Sequence, residues 1–426
     1  MKKNIFVVGM DSFNLEKLKK VPAAEGCVFH SAIDIDEIRN VEKFDMDKLL
    51  SIAENRMKSV EGGPAGVITY FDFPAQDMVP ILASRMGLPG PSFESVLKCE
   101  HKYWSRLEQQ KVISKHIPKF CAFDPFAEDI FDSINMPFPF WIKPFRSFRS
   151  FLAFEIENRG QFESTLEEIR ESIDFIHKPF MQLLQDQHLP ADITQMKESC
   201  IAETPLYGRQ CTLEGYVYDG KVKVYGVVDS VRDQHFSSFS RYEYPSSLPK
   251  WVQKKMINVC KRFIRSIEFD NSAFNVEFFY DPFHKQVYLL EINTRISQSH
   301  ADLFEKVHGV SHHQIMLQLA LGEKPKPLGD EGKFKHAAKF MLRTFDSGKV
   351  IAVPSDEEIE SVMNEMPGTI IKVLVQEGQQ LSKMELQDSY SYELADIFIG
   401  ADKRSELVNK YDRVIEKITF TIQKEF

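Results

Sequence analysis

The sequence has few cysteines, and their spacing matches neither a metal site nor a disulfide framework. Its six cysteines are scattered over 426 residues without any C-x-x-C pair. Zinc sites and disulfide-rich secreted domains both depend on closely spaced cysteines. We therefore expect the protein to lie in a reducing cytoplasm.

Positive charge and long apolar runs are also scarce. The formal net charge is −9, whereas sequence-independent binding of nucleic acid requires a basic surface. No apolar run approaches the ~20 residues that a membrane-spanning helix needs. The apolar run at residues 5–10 follows a basic start but is too short for a signal peptide. We expect neither a nucleic-acid partner nor a membrane partner.

The remaining composition is typical of a globular protein with several domains. Hydrophobic residues make up 43% and charged residues 27%, which fits a folded chain, and the length exceeds one ordinary core. Strand patterns at Ile5–Val8 and Gly66–Tyr70 alternate with a helical pattern at Met78–Met86, which predicts a parallel α/β unit. Glycine- and proline-rich segments at residues 87–92 and 322–327 indicate boundaries.

Residues 274–300 carry the most informative pattern. Aromatic and β-branched residues predict a strand up to Tyr280, Asp281-Pro282 predicts a turn, and residues 286–293 predict the returning strand.

Acidic and amide side chains of this hairpin are expected to converge. Glu291 and Asn293 share a face because side chains alternate along a strand. An even pairing sum, for example Glu277 opposite Leu289, places Glu277 on that face, diagonal to Glu291. Arg295 then lies beside them. Crowded carboxylates repel each other unless a cation compensates, and Mg²⁺ or Mn²⁺ accepts such oxygens together with phosphates. The alternative is a half-buried hairpin whose carboxylates face water.

The motif E-(x13)-E-x-N-x-R, formed by Glu277, Glu291, Asn293 and Arg295, resembles the metal-binding hairpin of the ATP-grasp superfamily. The resemblance covers residues 88–325 best. Within the superfamily, the chain is similar to the carboxylate–amine ligase branch. This branch includes L-amino acid ligases, carnosine synthase and biotin-carboxylase-like proteins.

The resemblance implies an α/β fold built from α+β lobes. It implies a Rossmann-like N-terminal domain over residues 1–98 and an ATP-grasp domain over residues 99–325. The lid lobe of that domain is expected at about residues 113–203. A small α+β extension is expected over residues 326–426.

Two lysines match the positions at which the superfamily holds nucleotide phosphates. Lys102 follows the glycine- and proline-rich connector, although His-Lys stands here where Asp-Lys is usual. Lys143 is the next-to-last residue of the segment 139–144. This segment closely matches the pattern P-x-(I/V)-(I/V)-K-P. Without the resemblance, Lys102 would be a solvated helix residue and Lys143 could be paired with a carboxylate.

Residues 145–151 lack the glycines with which the superfamily folds a loop over the phosphates. Backbone amides cradle phosphate only where the chain can approach it closely. The hydroxyls of Ser147 and Ser150 and the guanidinium groups of Arg146 and Arg149 are alternative phosphate ligands. A basic, aromatic surface hairpin is the other interpretation.

The resemblance also implies a nucleotide-binding hinge near residue 203. Backbone groups around Ala202 would meet the adenine edge, and a carboxylate would hold the ribose. Glu203 lies at this hinge, Gln210 replaces an expected glutamate, and Glu214 follows on the next strand. Which of these three side chains meets the ribose stays open.

Candidate substrate residues lie on both sides of the hairpin. Residues 229–244 are polar and aromatic, and a loop here carrying Arg232 and Arg241 either closes over a substrate or is plain surface. His300 follows Arg295 where a substrate could arrive. The other histidines of the helical stretch at 301–321 are expected to be structural.

The function implied by the resemblance is ATP-dependent ligation. ATP, with Mg²⁺ or Mn²⁺, would activate a carboxylate as an acyl phosphate, and an amine would displace phosphate. Arg295 would be the catalytic residue that steadies the acyl phosphate. The partners would be small carboxylates and amines, and a homodimer is common in the superfamily.

Two other hypotheses remain. The glycine-free loop and Gln210 favour a nucleotide-binding regulatory or partner protein without turnover. Biotin-carboxylase-like chemistry on bicarbonate is the third hypothesis.

Overall fold

The computed structural model describes residues 2–39, 44–128, 130–147, 151–185, 189–190, 193, 196, 199–233, 238–384 and 391–424. The candidates Arg149 and Ser150 lie outside the described residues.

The N-terminal part is a parallel α/β unit, as predicted. Its strands are β1 (Lys3–Met10), β2 (Cys27–Asp34) and β3 (Pro64–Ile68). Its helices are α1 (Ser12–Lys20), α2 (Asp36–Arg39), α3 (Met46–Ser59) and α4 (Ala75–Arg85). Both pairings of the sheet order β2-β1-β3 are parallel. The Asp11 and Asp45 side chains cap α1 and α3, which fixes where those helices begin.

A second lobe follows, built on a four-stranded sheet. Its strands are β4 (Phe120–Phe123), β5 (Phe140–Pro144), β6 (Phe154–Ile156) and β7 (Cys200–Glu203), in the order β4-β7-β5-β6. The helices of this region are α5 (Phe93–Glu100), α6 (Lys102–Ile113), α7 (Ile130–Ile134), α8 (Arg159–Ser172) and α9 (Asp174–Gln185). Phe140 and Ile142 of β5 are fully buried, together with Phe162 and Ile169 of α8. This apolar layer holds the lobe together.

The largest sheet runs through the rest of the chain. Its strands are β8 (Arg209–Tyr218), β9 (Lys221–Arg232), β10 (Phe239–Tyr244), β11 (Ser272–Asp281), β12 (Gln286–Asn293), β13 (His336–Thr344), β15 (Thr369–Val373) and β16 (Tyr392–Ala401). A small pair consists of β14 (Gly348–Ala352) and β17 (Thr421–Lys424). The helices are α10 (Lys250–Ser266), α11 (Ala301–His308), α12 (His313–Ala320), α13 (Asp356–Glu365) and α14 (Ser405–Ile415).

The strand order of this sheet joins the C-terminal segment to the predicted hairpin. The order is β12-β11-β8-β9-β10-β13-β16-β15, and β10 pairs with β13 in antiparallel register. One continuous sheet face can therefore carry both the hairpin side chains and those of the last hundred residues. The domain boundaries at residues 98 and 325 stay predictions.

Two glycines make room for buried aromatic rings in this sheet. A Cβ atom at Gly226 would lie 2.5 Å from Cζ of Phe304, which is fully buried. A Cβ atom at Gly215 would lie 2.4 Å from Cζ of Phe274. Close packing of α11 against the sheet, and of the Phe274 side chain of β11 over β8, thus depends on glycines at these two positions.

None of the helices in the described part of the chain combines the length and the apolar character needed to cross a membrane.

We expect Gly226→Ala to destabilise the protein by about 1–3 kcal/mol, because the new methyl group overlaps the Phe304 ring. Chemical denaturation measures this change. The double variant Gly226→Ala/Phe304→Leu should lose less than the sum of the two single changes. Gly160→Ala, in the first turn of α8 with only the Asn158 side chain 3.5 Å away, is the control and should not destabilise. Equal losses at both glycines would contradict the packing argument.

Candidate active site

A large cleft lies where the three parts of the chain meet. Its volume is about 1470 Å³, which exceeds the ~300–1,000 Å³ of an ordinary small-molecule site. Asp72 lines it from the N-terminal unit, Lys143 from the second lobe, and Glu291 and Lys339 from the large sheet. The cleft therefore has room for more than one ligand.

The hairpin β11–β12 brings two carboxylates face to face in this cleft. Glu277 pairs directly with Glu291, and Asn275 pairs with Asn293. The residue numbers of the pair Glu277 and Glu291 have an even sum, as predicted. The example of Glu277 opposite Leu289 was wrong, because the register shifts just after Glu277 and Leu289 pairs with Phe278. Side chains of both residue pairs line the cleft.

Burial and the charge of Glu291 both act on Glu277. Burial raises the pKa of Glu277 to about 7, and the facing Glu291 acts in the same direction. Gln210 Nε2 donates a hydrogen bond to Glu277 Oε2 at 2.6 Å. Asn293 Nδ2 donates to Asn275 Oδ1 at 3.0 Å, which leaves Asn293 Oδ1 on the side of Arg295.

This set of oxygens fits a divalent cation of the magnesium type. Within the described ranges, no group of three or more histidine, cysteine, aspartate or glutamate side chains gathers as a complete metal cage. Mg²⁺ does not need one, since it takes one or two carboxylates and completes its shell with water and phosphate. Glu277, Glu291 and Asn293 would hold it. Asn275 was missed, although it lies two residues before Glu277 and so shares its strand face.

Lys102 lies at the start of α6 and lines the cleft. Burial lowers the pKa of Lys102, and the positive charges of Lys143 and Arg146 lower it further. The negative charge of Glu291 acts in the opposite direction. Its Nζ donates to the backbone oxygen of Ser147 at 3.4 Å. Lys102 and Glu291 thus interact across the cleft, where a phosphate with a bound cation would meet both.

Lys143 has the carboxylate partner that the sequence left as an alternative. Its Nζ lies 2.6 Å from Glu203 Oε2, and Arg106 Nε lies 2.5 Å from Glu203 Oε1. Burial alone would raise the pKa of Glu203, but the charges of Arg106 and Lys143 hold it at about 2. Arg106 was missed, because nothing distinguishes it from other charged residues of an amphipathic helix. Lys143 and Glu203 both line the cleft.

Arg146 is engaged by carboxylates, and so the structure does not favour it as a phosphate ligand. The Arg146 side chain is buried. Its Nη2 lies 2.8 Å from Asp77 Oδ2, and its Nη1 lies 3.3 Å from Glu100 Oε2. The neighbouring Ser147 lines the cleft, but its hydroxyl donates to the backbone oxygen of Phe151 at 2.5 Å.

The hinge meets the cleft a few residues later than predicted. Ala202 lies in β7, which is flanked by β4 and β5, so its backbone lies within the sheet ladder. It does not line the cleft, whereas residues 203–210 do. The backbone of this following segment is better placed to meet a base.

Glu214 is also placed differently from the prediction. It is fully buried and does not line the cleft, although Gln210 and Thr212 on the same strand face do. Its Oε1 lies 2.7 Å from Nδ1 of His300. Burial raises the pKa of Glu214 well above its usual range and lowers the pKa of His300 to about 3. A ribose would not reach Glu214, whereas His300 lines the cleft as predicted.

The two candidate substrate arginines lie on strands and differ in position. Arg232 ends β9, lines the cleft and donates from Nε to Gln210 Oε1 at 3.1 Å. Arg241 on β10 does not line the cleft; its neighbour Tyr242 does, because adjacent residues of a strand point to opposite faces. Arg241 instead pairs with Glu243 at 2.6 Å.

Arg295 is held by an aspartate that the sequence gave no reason to select. Its Nη2 lies 3.0 Å from Asp72 Oδ2, and Asp72 follows β3 in the N-terminal unit. Burial alone would raise the pKa of Asp72, but Arg295 and Arg146 hold it below its usual value. Within the described residues, Nε of Arg295 is buried without a hydrogen-bond partner. Arg295 itself lines the cleft.

Comparison with known proteins agrees with this architecture. Residues 242–327 match the family model described as the ATP-binding domain of the carbamoyl-phosphate synthase L chain. No curated protein sequence matches the chain.

Several solved structures resemble the whole chain. An L-amino acid ligase from Bacillus licheniformis is 16% identical over 99% of both chains, with a TM-score of 0.72. A carboxyaminoimidazole ribonucleotide synthase from Aspergillus clavatus, complexed with ATP, is 12% identical over 97% of this chain and 98% of that one, with a TM-score of 0.68. A biotin carboxylase from Campylobacter jejuni is 13% identical over 100% and 93%, with a TM-score of 0.63. The chain therefore has the ATP-grasp fold, and the predicted fold class is confirmed.

We expect Glu277→Gln to stabilise the metal-free protein at pH 8, by roughly 1–3 kcal/mol. The pKa of Glu277 is about 7 in the folded protein and ~4.3 in the unfolded chain. Glu277 therefore destabilises the fold progressively as the pH rises above ~4.3, and above pH 7 it is ionised opposite Glu291. The gain should shrink at pH 6, where Glu277 is largely protonated. Thermal unfolding with a chelator at both pH values measures it.

Glu203→Gln is the matched control, because Glu203 is a buried glutamate that lines the same cleft but has two cationic partners. Its pKa of about 2 means that it stabilises the fold above pH ~4.3 and loses that effect towards pH 2. We expect a loss of about 3–5 kcal/mol at pH 8. Stability changes of the same sign in both variants would contradict the electrostatic picture.

Proposed function

We propose that the protein is an ADP-forming ligase that activates a carboxylate with ATP and joins it to an amine. The observation that carries the proposal is the face-to-face pair Glu277 and Glu291, with Asn293 and Arg295 beside it, in a cleft shared with Lys102. Two half-buried carboxylates opposite each other repel unless a cation lies between them. A cation held in this way next to a lysine would bind the phosphates of a nucleoside triphosphate.

The first chemical step would be phosphoryl transfer to the substrate carboxylate. A carboxylate oxygen attacks the γ-phosphorus of ATP, the bond to the β-phosphate oxygen breaks, and an acyl phosphate and ADP form. Lys102 would bind the transferring phosphate, and Glu277, Glu291 and Asn293 would hold Mg²⁺ or Mn²⁺. A cation held there would supply positive charge to neutralise the phosphates.

Arg295 would act in both steps. Arg295 lines the cleft, and Asp72 fixes one end of its guanidinium group. An oriented guanidinium stabilises the oxygens of an acyl phosphate. An amine then attacks the acyl carbon, phosphate leaves, and the nitrogen loses a proton.

Two contacts within the cleft support a different candidate, a nucleotide-binding protein without ligase turnover. Lys143 is paired with Glu203, and Gln210 occupies one oxygen of Glu277, so these groups satisfy each other without a ligand. Tight ATP binding without ADP release, for every carboxylate and amine offered, would favour this candidate.

The test of the ligase proposal is ADP release with a panel of carboxylates, using hydroxylamine as a general amine. Hydroxylamine converts any acyl phosphate to a hydroxamate, whatever the natural amine. ADP formation that depends on a carboxylate, with an equal amount of hydroxamate, is the expected result. ATP hydrolysis without hydroxamate would contradict the proposal.

We expect Glu291→Gln to reduce carboxylate-dependent ADP release by at least ~1,000-fold. The cation would lose one charged ligand, and the negative charge of the phosphates would then no longer be neutralised by a bound cation. The fold should stay intact, since the substitution removes one of two repelling carboxylates. Glu268→Gln, at an exposed position outside the cleft, is the matched control and should keep full activity. Undiminished ADP release in Glu291→Gln would rule out the assigned metal site.

A further inference from the structure

The segment that carries Arg295 begins where the ladder of the hairpin ends. β12 is an edge strand of the large sheet, and its pairing with β11 ends at Asn275 opposite Asn293. Thr294 and Arg295 follow this pair directly. The sheet therefore fixes the backbone as far as Asn293, and the position of the next two residues depends on side chains from other elements.

Glu100, the last residue of α5, holds Thr294. The Thr294 N–H donates to Glu100 Oε1 at 2.7 Å, and the Thr294 hydroxyl donates to the same oxygen at 2.9 Å. Both residues are buried. Because a peptide group is planar, the bond from the N–H fixes the orientation of the whole peptide unit between Asn293 and Thr294.

Two further contacts hold Arg295 itself. Its carbonyl oxygen accepts a hydrogen bond from Asn275 Nδ2 at 3.1 Å, and its Nη2 lies 3.0 Å from Asp72 Oδ2. These contacts fix the C-terminal side of its backbone and one end of its guanidinium group. Glu100 fixes the N-terminal side through Thr294, so the path of the backbone into Arg295 is set by this one carboxyl group.

Arg146 holds Glu100 in place. Its Nη1 lies 3.3 Å from Glu100 Oε2, and its Nη2 lies 3.9 Å from Asp72 Oδ1. Its Nε and Nη2 also donate to Asp77 Oδ2 at 3.0 and 2.8 Å. The two carboxylates Glu100 and Asp72 thus lie around one buried guanidinium group.

Both carboxylate oxygens of Glu100 face protein donors. Oε1 accepts two hydrogen bonds from Thr294, and Oε2 faces Arg146. Thr294 does not line the cleft, whereas Arg295 does. Glu100 therefore acts on a residue of the proposed site from one position along the chain. A displacement of ~1 Å in a catalytic group can lower a rate ~100-fold.

Resting on the proposed ligase function, we infer that Glu100 is a positioning residue for Arg295. Through the backbone of Thr294 it holds the guanidinium group where charge develops during phosphoryl transfer, and Arg146 orients Glu100 for this. The proposed reaction thereby gains a required side chain that contacts neither the substrate nor the cation.

The experiment is a double-variant cycle, with carboxylate-dependent ADP release measured at saturating ATP, hydroxylamine and carboxylate. Glu100→Asp keeps a carboxyl group but withdraws it from Thr294 by one methylene group. We expect kcat to fall about 10–100-fold when Arg295 is present, and less than about threefold when Arg295→Lys has already been introduced. Losses that multiply in the double variant would overturn the inference, because Glu100 would then act independently of Arg295.

A second pair of variants changes the partner of Glu100. Thr294→Val has nearly the same volume and keeps the backbone N–H, but it lacks the hydroxyl donor. We expect kcat to fall about tenfold, while the KM for ATP stays unchanged. Thr294→Ser keeps the hydroxyl and should retain most of the wild-type kcat. Equal values of kcat for valine and serine would contradict the positioning role.

Matched controls make the same chemical changes away from the cleft. Glu243 is a buried glutamate with two arginine partners that does not line the cleft, so Glu243→Asp should leave kcat unchanged with either residue at position 295. Thr369 is buried, and its hydroxyl has no partner within the described residues. Thr369→Val should also leave kcat unchanged.

The outcomes separate this inference from the proposal on which it rests. If the wild-type protein forms ADP and hydroxamate but Glu100→Asp and Thr294→Val leave kcat unchanged, only the positioning role is overturned. If thermal unfolding shows that Glu100→Asp does not fold, Thr294→Val takes its place in the cycle with Arg295→Lys. If the wild-type protein forms neither product, the ligase proposal fails and the inference with it.

Discussion

The repulsion between Glu277 and Glu291 is the constraint around which the rest of the cleft is arranged. Antiparallel pairing sets the two carboxylates opposite each other, and their partial burial limits screening by water. The surrounding groups offset this only in part, since Gln210 is neutral and Lys102 interacts mainly with Glu291. A fold that retains such a pair gives up stability at the point where a cation would bind.

Ion pairs connect the N-terminal unit to this point. Asp72 holds Arg295, while Arg146 contacts Asp77 and Glu100. Glu100 in turn accepts hydrogen bonds from the backbone and hydroxyl of Thr294, which lies between Asn293 and Arg295. Because these charges are buried or half-buried, removal of one leaves another without its partner. The N-terminal unit is thereby part of the site as well as a neighbour of it.

The hairpin was predictable because its information is local. Alternation along two strands and a short turn suffice to place Glu277, Glu291 and Asn293 on one face, and only the register shift after Glu277 was invisible. Lys143 and Glu214 show the opposite case. Their partners, Glu203 and His300, are 60 and 86 residues away, and no local pattern shows which distant charge a buried residue meets.

The sequence by itself determined the alternation of strands and helices, the oxygen-bearing side chains on one face of the hairpin and the order of the two lysines before it. These features follow from side-chain periodicity and turn chemistry, which act between near neighbours. Only the tertiary structure decided that Asp72 holds Arg295, and that β13 continues the sheet of the hairpin. Both depend on long-range pairing, whose free energy is realised only when the whole sheet has assembled.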